Sequence, residues 1–347
     1  MRVLITGSGG LIGSEASRYF SKSNKVYGID NNMRALFFGP HGDVTSTIDT
    51  LSSLKNYSHF VGDVTNQDQM NEIFSQIKPD VVIHCAAQPS HDKASSIPLL
   101  DFDVNARGTI ILLEAFKNYC DQNSVFIHMS TNKVYGDGPN NVSLVELETR
   151  WEYGDSSLRE SGISETFSID NCLHSLFGAS KVSADIIAQE YGRYFGLNVG
   201  IFRGGCLTGP QHAGVELHGF LSYLIKCAVS GKSYTIYGYG GKQVRDQIHC
   251  TDVISAIEQY VESPAPGAVY NLGGCKENSA SILEIIDILR EEHNLDLIYS
   301  LSDKNRTGDH ICYYTDMSKF KTNYLGWKIK VSLRDIIAEM IEVEKKK

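Results

Sequence analysis

Thr6-Gly7-Ser8-Gly9-Gly10-Leu11-Ile12-Gly13 follows the short apolar run Val3 to Thr6 and opens the amphipathic stretch Ile12 to Ser21. Its glycines fall in GxxGxxG spacing at Gly7, Gly10 and Gly13. Between a strand and a helix, such glycines let the backbone turn tightly, approach a pyrophosphate and pack the helix on the sheet. The helix then begins at Leu11 and Ile12 with unpaired N–H groups and a partial positive charge, a natural seat for an anion. The next strand, Val26 to Asp30, ends in a carboxylate followed by Asn31 and Asn32. Asp30 there accepts hydrogen bonds from ribose hydroxyls and repels the additional phosphate of NADP, so the expected cofactor is NAD.

Working outward, the alternation of short β-branched runs with longer amphipathic stretches is the βαβ pattern of a parallel sheet. Phe60 to Asp63, Val81 to Ala86, Val125 to Ser130 and Val199 to Arg203 are continuously apolar and are expected to be buried strands. Asn31 to Ser58, rich in Asn, Gly, Ser and Thr, is expected to be a long loop over the cofactor with a short helix near Ile48 to Leu54. After Gly204 the rhythm changes, with a helix expected over Phe220 to Ser230 and another over Arg334 to Lys347. The expected organisation is a dinucleotide-binding domain over 1–203, with the chain crossing back at about 244–272, and a smaller α/β substrate region over 204–347.

Bulk properties narrow the function. The net charge of -9 at pH 7 repels a phosphate backbone, and the one basic run is Lys345, Lys346 and Lys347. No nucleic-acid partner is expected. The eight cysteines show no CxxC pair and no metal-like spacing with histidine, so they are read as reduced thiols, and no metal is expected. Met1 leads directly into the first strand and no apolar run reaches membrane-spanning length. The expectation is a cytoplasmic protein with no membrane partner.

Further motifs carry a resemblance. Asp63-Val64 is similar to an acidic pair that holds adenine, Cys85-Ala86-Ala87-Gln88 to a stretch lining NAD, and Val104-Asn105-Ala106-Arg107-Gly108-Thr109 to an NVxGT motif whose Asn fixes a strand. In their order and spacing they resemble the extended short-chain dehydrogenase/reductases that act on nucleotide sugars, from Met1 to about Trp327. The resemblance implies a Rossmann-type doubly wound sheet, NAD, a nucleotide-diphosphate sugar as substrate and a homodimer. Ser130-Thr131-Asn132-Lys133-Val134-Tyr135-Gly136-Asp137 lacks the Asp-Glu pair with which 4,6-dehydratases eliminate water. This run resembles the CDP-tyvelose (CDP-paratose) 2-epimerases, as do Glu146 to Arg150 and Gly241 to Asp246. By the resemblance Thr131 bonds the reacting sugar oxygen, Asn132 and Lys133 lie at the substrate, and Arg245 and Arg306 grip the diphosphate.

One position departs from the family. A tyrosine four residues before the active-site lysine normally moves the proton, but here the segment is Ser175-Leu176-Phe177-Gly178-Ala179-Ser180-Lys181. Lys181 is present and the phenol is replaced by Phe177, which has no titratable atom. Three explanations stand: an engineered substitution, a natural subgroup in which another group takes the proton, or a protein that binds NAD and a nucleotide sugar without turnover. The retained Lys181, Thr131 and arginines favour the second. His91 and His174, each otherwise a satisfied structural histidine, are then the candidate proton carriers. Cys206 stands where sugar epimerases often carry Asn, which weakens any sugar contact there.

Overall fold

The short apolar runs form one sheet. Its seven strands lie in the order Ala268–Leu272, Asn198–Gly204, Val125–Thr131, Val81–His84, Arg2–Thr6, Lys25–Ile29 and Tyr57–Phe60. Arg2–Thr6 pairs in parallel with Lys25–Ile29 and with Val81–His84. The parallel sense continues outward to Tyr57–Phe60 and to Val125–Thr131. Val3, Leu4, Ile5, Val82, Ile83, Phe126 and Ile127 are all fully buried, which is why these strands are apolar throughout rather than alternating. Strand order reverses between Arg2–Thr6 and Val81–His84. Their carboxyl ends, Thr6 and His84, therefore mark the crevice in which a doubly wound sheet accepts a ligand.

The computed structural model describes residues 1–210, 214, 219–304 and 308–346. They cluster into two compact units. The first comprises Met1–Val134, Leu176–Arg203 and Val253–Tyr270; the second comprises Tyr135–Ser175, Gly204–Asp252 and Asn271–Lys347. The core of the first packs Leu4, Phe74, Val82, Leu112, Phe116, Phe126 and Ile201. The core of the second comes from helices Phe220–Ser230, Ile282–His293 and Leu333–Lys345, with Leu224, Ile285, Leu289, Ile336 and Ile337 at its centre. Tyr135–Ser175 thus clusters with the second unit rather than with the sheet that precedes it. Tyr135 donates to Asn271 at 2.6 Å, Arg150 to Ser279 at 2.9 Å, and Ile163 bridges to Thr315. Among the described residues no helix is long and apolar enough to cross a membrane.

Two local expectations are corrected. The stretch expected as a long loop with a short helix near Ile48 to Leu54 is largely helical: that helix lies at Thr45–Ser52, and a further helix Met33–Phe38 and a 3-10 turn at Gly39–Gly42 precede it. Asn32 organises it. With φ 54° it reverses the chain, its Oδ1 accepts Val44 N–H at 3.1 Å, and its Nδ2 donates to Asp43 at 2.9 Å. The third strand runs Tyr57–Phe60, earlier than the expected Phe60 to Asp63, because the buried Tyr57 anchors it by a 3.1 Å bond to Ser8. Gln69 then clamps Val61 and Asp63 from outside the sheet.

Candidate functional site

The glycine turn sits at the sheet crevice, in the first unit. Gly7 has φ 68° and its N–H donates to Ile29 O at 2.8 Å; a Cβ there would lie 2.7 Å from Ala86 N. A Cβ on Gly13 would come within 2.1 Å of Gly7 O. Only glycine permits this closeness of turn, helix and neighbouring strand. Helix Leu11–Phe20 begins without a side-chain cap at Gly10 and without an acidic residue in its first turn. Its first N–H groups are thereby left to an anion. Asp30 closes the cradle: one carboxylate oxygen accepts Gly9 N–H at 2.9 Å and the other accepts Asn32 N–H at 2.8 Å. Asn31 accepts from Met33 N–H at 3.1 Å. These residues fit the pyrophosphate and ribose of a dinucleotide. Asp63 is tied to Thr65 by bonds of 2.8 and 2.9 Å, and Val64 is buried beside it.

The reactive end is built on three elements of the same unit. Ala86, Ala87 and Gln88 follow the strand Val81–His84, and Asn105 holds them. Its side chain accepts Gln88 N–H at 2.9 Å and donates to Gln88 O at 3.1 Å from within a π-helical turn, Asp103–Arg107. Thr131 ends the strand Val125–Thr131, where its hydroxyl oxygen accepts Lys133 N–H at 3.2 Å and lies 3.4 Å from Asn132 Oδ1. Lys181, on helix Ser175–Phe195, is 4 % exposed and donates to Met129 O at 2.9 Å. Burial pulls its ammonium down to about 8, against the opposing pull of Asp185, Cys85 and Asp101. Phe177, one turn earlier, is buried with its ring edge-on to His91, centroids 4.9 Å apart.

The remaining candidates belong to the second unit. His174 Nε2 lies 2.7 Å from Ile169 O and 3.4 Å from Cys172 Sγ, so this imidazole closes its own loop. Cys206 begins the strand Cys206–Thr208, paired in parallel with Val244–His249. Arg245 is nearly buried and donates to Val244 O at 2.7 Å and to Asp309 and His310 O at 2.5 Å each. Burial is the largest influence and opposes its charge, but Asp309, Cys206 and Cys312 together raise its pKa above the ordinary value. Arg306 lies outside the described residues. Among the described residues no group of His, Cys, Asp or Glu could hold a metal ion.

Comparison with known proteins agrees with this geometry. The profile of the NAD dependent epimerase/dehydratase family matches residues 3–273. The chain belongs to that family. Among curated members, it is similar to CDP-paratose 2-epimerase of Salmonella typhi, 33% identical over 99% of this chain and 98% of the relative. It is also similar to a dTDP-glucose 4,6-dehydratase of Escherichia coli, 30% identical over 99% of this chain and 92% of the relative. Among solved structures, it resembles a Tyr-to-Phe mutant of UDP-glucuronic acid 4-epimerase from Bacillus cereus in complex with UDP-4-deoxy-4-fluoro-glucuronic acid and NAD. The TM-score is 0.80 and the identity 28%, covering 100% of this chain and 99% of that one.

Sequence reading missed three buried groups around this epimerase/dehydratase site. Asp101 is 1 % exposed and accepts from Gln88 at 2.6 Å, from Asn105 at 3.2 Å and from Ser180 at 2.6 Å; burial raises its pKa. Its helical spacing from Asn105, four residues apart, was the available signal. Asp185 gathers Arg203 at 2.8 and 3.0 Å, Ser130 at 2.5 Å and Gln189 at 2.6 Å behind the Thr131 strand. Thr6, His84 and His128 form an in-register row across three strands. His84 lies 2.7 Å from Thr6 Oγ1 and 3.0 Å from Thr109 Oγ1, and burial lowers its pKa to about 3.

Proposed function

We propose that the protein is an NAD-dependent nucleotide-sugar epimerase that inverts one sugar carbon by way of a transient keto sugar. The observation that carries this reading is an intact dinucleotide cradle alongside a buried lysine, Lys181, held on Met129 O two residues before Thr131. The sequence likeness to CDP-paratose 2-epimerase supports it. When bound, NAD accepts hydride from a sugar carbon and can return it to the opposite face. Thr131 holds the reacting oxygen, with Asn132 and Lys133 on the same turn completing the contacts to the sugar. Lys181 binds the nicotinamide ribose and supplies positive charge. Arg245 retains donors beyond those given to Val244, Asp309 and His310, and with Arg306 it anchors the diphosphate, which positions the reacting carbon.

The proposed assembly is a homodimer formed through the helices that follow Asn105 and Phe177. Ile110, Leu176 and Ile186 on these helices are exposed apolar side chains. The proposed compartment is the cytosol, in keeping with eight free cysteines. A panel of CDP-, UDP-, GDP- and dTDP-sugars, followed by NMR, tests the reaction. An epimer without net NADH is expected; accumulating NADH or loss of water contradicts it. Phe177 favours a second reading, a silent binder of NAD and nucleotide sugar. That reading predicts calorimetric binding with no change in nicotinamide absorbance and no new product.

A further inference from the structure

His91 and Phe177 are fixed against each other by one buried network. Gln88 clamps the residue before His91 on both sides: its Oε1 accepts Ser90 N–H at 2.7 Å and its Nε2 donates to Ser90 O at 2.9 Å. The same Nε2 donates to Asp101 at 2.6 Å. Ser180 Oγ lies 2.6 Å from the other oxygen of Asp101 and 2.9 Å from Phe177 O. The chain carrying the imidazole and the turn carrying the phenyl ring thus share a support whose members are almost fully buried. The ring of His91 itself stays half-buried, and so accessible to a ligand, while its edge meets Phe177.

His84 has both ring nitrogens within bonding distance of Thr6 and Thr109, and His128 is wholly buried. His174 is bound to Ile169 O. Lys181 carries the cation and donates to Met129 O.

We propose that His91 exchanges the proton of the reacting sugar hydroxyl, in place of the phenol that Phe177 lacks. This rests on the epimerase reading. The hydroxyl O–H bond breaks, its proton passes to a ring nitrogen of neutral His91, and the carbon becomes a carbonyl as its hydride leaves to oxidised NAD. On the return the imidazolium gives the proton back to the oxygen, so nothing is consumed. Asp92 and Lys93 are the charged residues that follow His91 on its own helix, and Asp101 is the charged member of the supporting network.

The test uses His91→Asn and His91→Gln in the holoenzyme, each with and without Phe177→Tyr. The expected result is a fall in kcat of ~10²–10⁴-fold, with retained NAD and calorimetric affinity for the nucleotide sugar unchanged. Phe177→Tyr in the same chain should restore part of the lost rate. In the unsubstituted holoenzyme, the His91 ring nitrogens followed by 15N NMR should shift when a nucleotide sugar is added. Turnover of both variants within about threefold of the parent, or a rise in KM with kcat unchanged, overturns the role of His91 and leaves the epimerase reading standing. Absence of turnover in the parent chain, with NAD and sugar both bound, sinks the epimerase reading and this inference with it.

Discussion

The glycine cradle and the turn around Phe177 lie in the same unit and meet the family's chemical requirements to different degrees. In the cradle every chemical requirement of dinucleotide binding is met by the residue present: Gly7 and Gly13 where a Cβ would collide with backbone, and Asp30 where a carboxylate is needed. At the Phe177 turn the scaffold is complete, with Lys181 on Met129 O and Ser180 on Asp101, yet a phenyl ring stands where the family carries a phenol. On the proposed role of His91, binding and proton transfer are separable in this fold. On that proposal the site keeps its cation and its cofactor seat while the proton is handled from an adjacent element.

Substitutions on each side break the comparison in different ways. Gly13→Val has the largest expected effect, because its side chain would start 2.1 Å from Gly7 O. It should cost ~3 kcal/mol, read by denaturant titration, and the purified protein should carry no NAD. Lys181→Met acts on the reactive turn alone. Turnover should fall by ~10²–10³-fold with NAD retained, and the parent enzyme should lose activity above a pH of about 8, where the Lys181 ammonium releases its proton. Asp30→Ser should weaken NAD by roughly 10–100-fold and remove the discrimination against NADP, measured by titrating both dinucleotides.

Two smaller effects sharpen the picture. Asp101→Asn offers one oxygen where two now accept from Gln88, Asn105 and Ser180, leaving a donor opposed to a donor. A loss of ~1–3 kcal/mol is expected, again by denaturant titration. His84 gives the mildest signal. Its folded pKa of about 3 lies below the ordinary 6.5, so between those values the unfolded chain binds the proton and the folded one does not. Its contribution to stability is full above pH 6.5 and declines as pH falls toward 3, and His84→Gln should flatten the acid limb of a plot of Tm against pH.

The elements legible in the sequence were those whose cause is local. The central strands are apolar because both faces are covered, and the helix Phe220–Ser230 lies where its periodicity predicts. In the segment after Asp30 the helix near Ile48 was legible but Met33–Phe38 was not, since the fold there depends on Asn32 bridging to Val44 and Asp43, a contact between residues poor in helix propensity. The site divides similarly. Gly7, Asp30, Lys181 and the absent phenol are read from residue type alone. Asp101, by contrast, is one carboxylate in an amphipathic helix until the fold brings Gln88 and Ser180 to it. Arg245 can be singled out from sequence, but its pairing with Asp309 is a fact of the fold.

The claim that hydride leaves and returns at a single sugar carbon is tested most directly in deuterium oxide. The holoenzyme is incubated with the nucleotide sugar it turns over, and the inverted carbon of the product is examined by NMR. Direct hydride return predicts that this carbon keeps its original hydrogen. Deuterium at the inverted carbon would mean that the hydrogen had exchanged with water, contradicting the account.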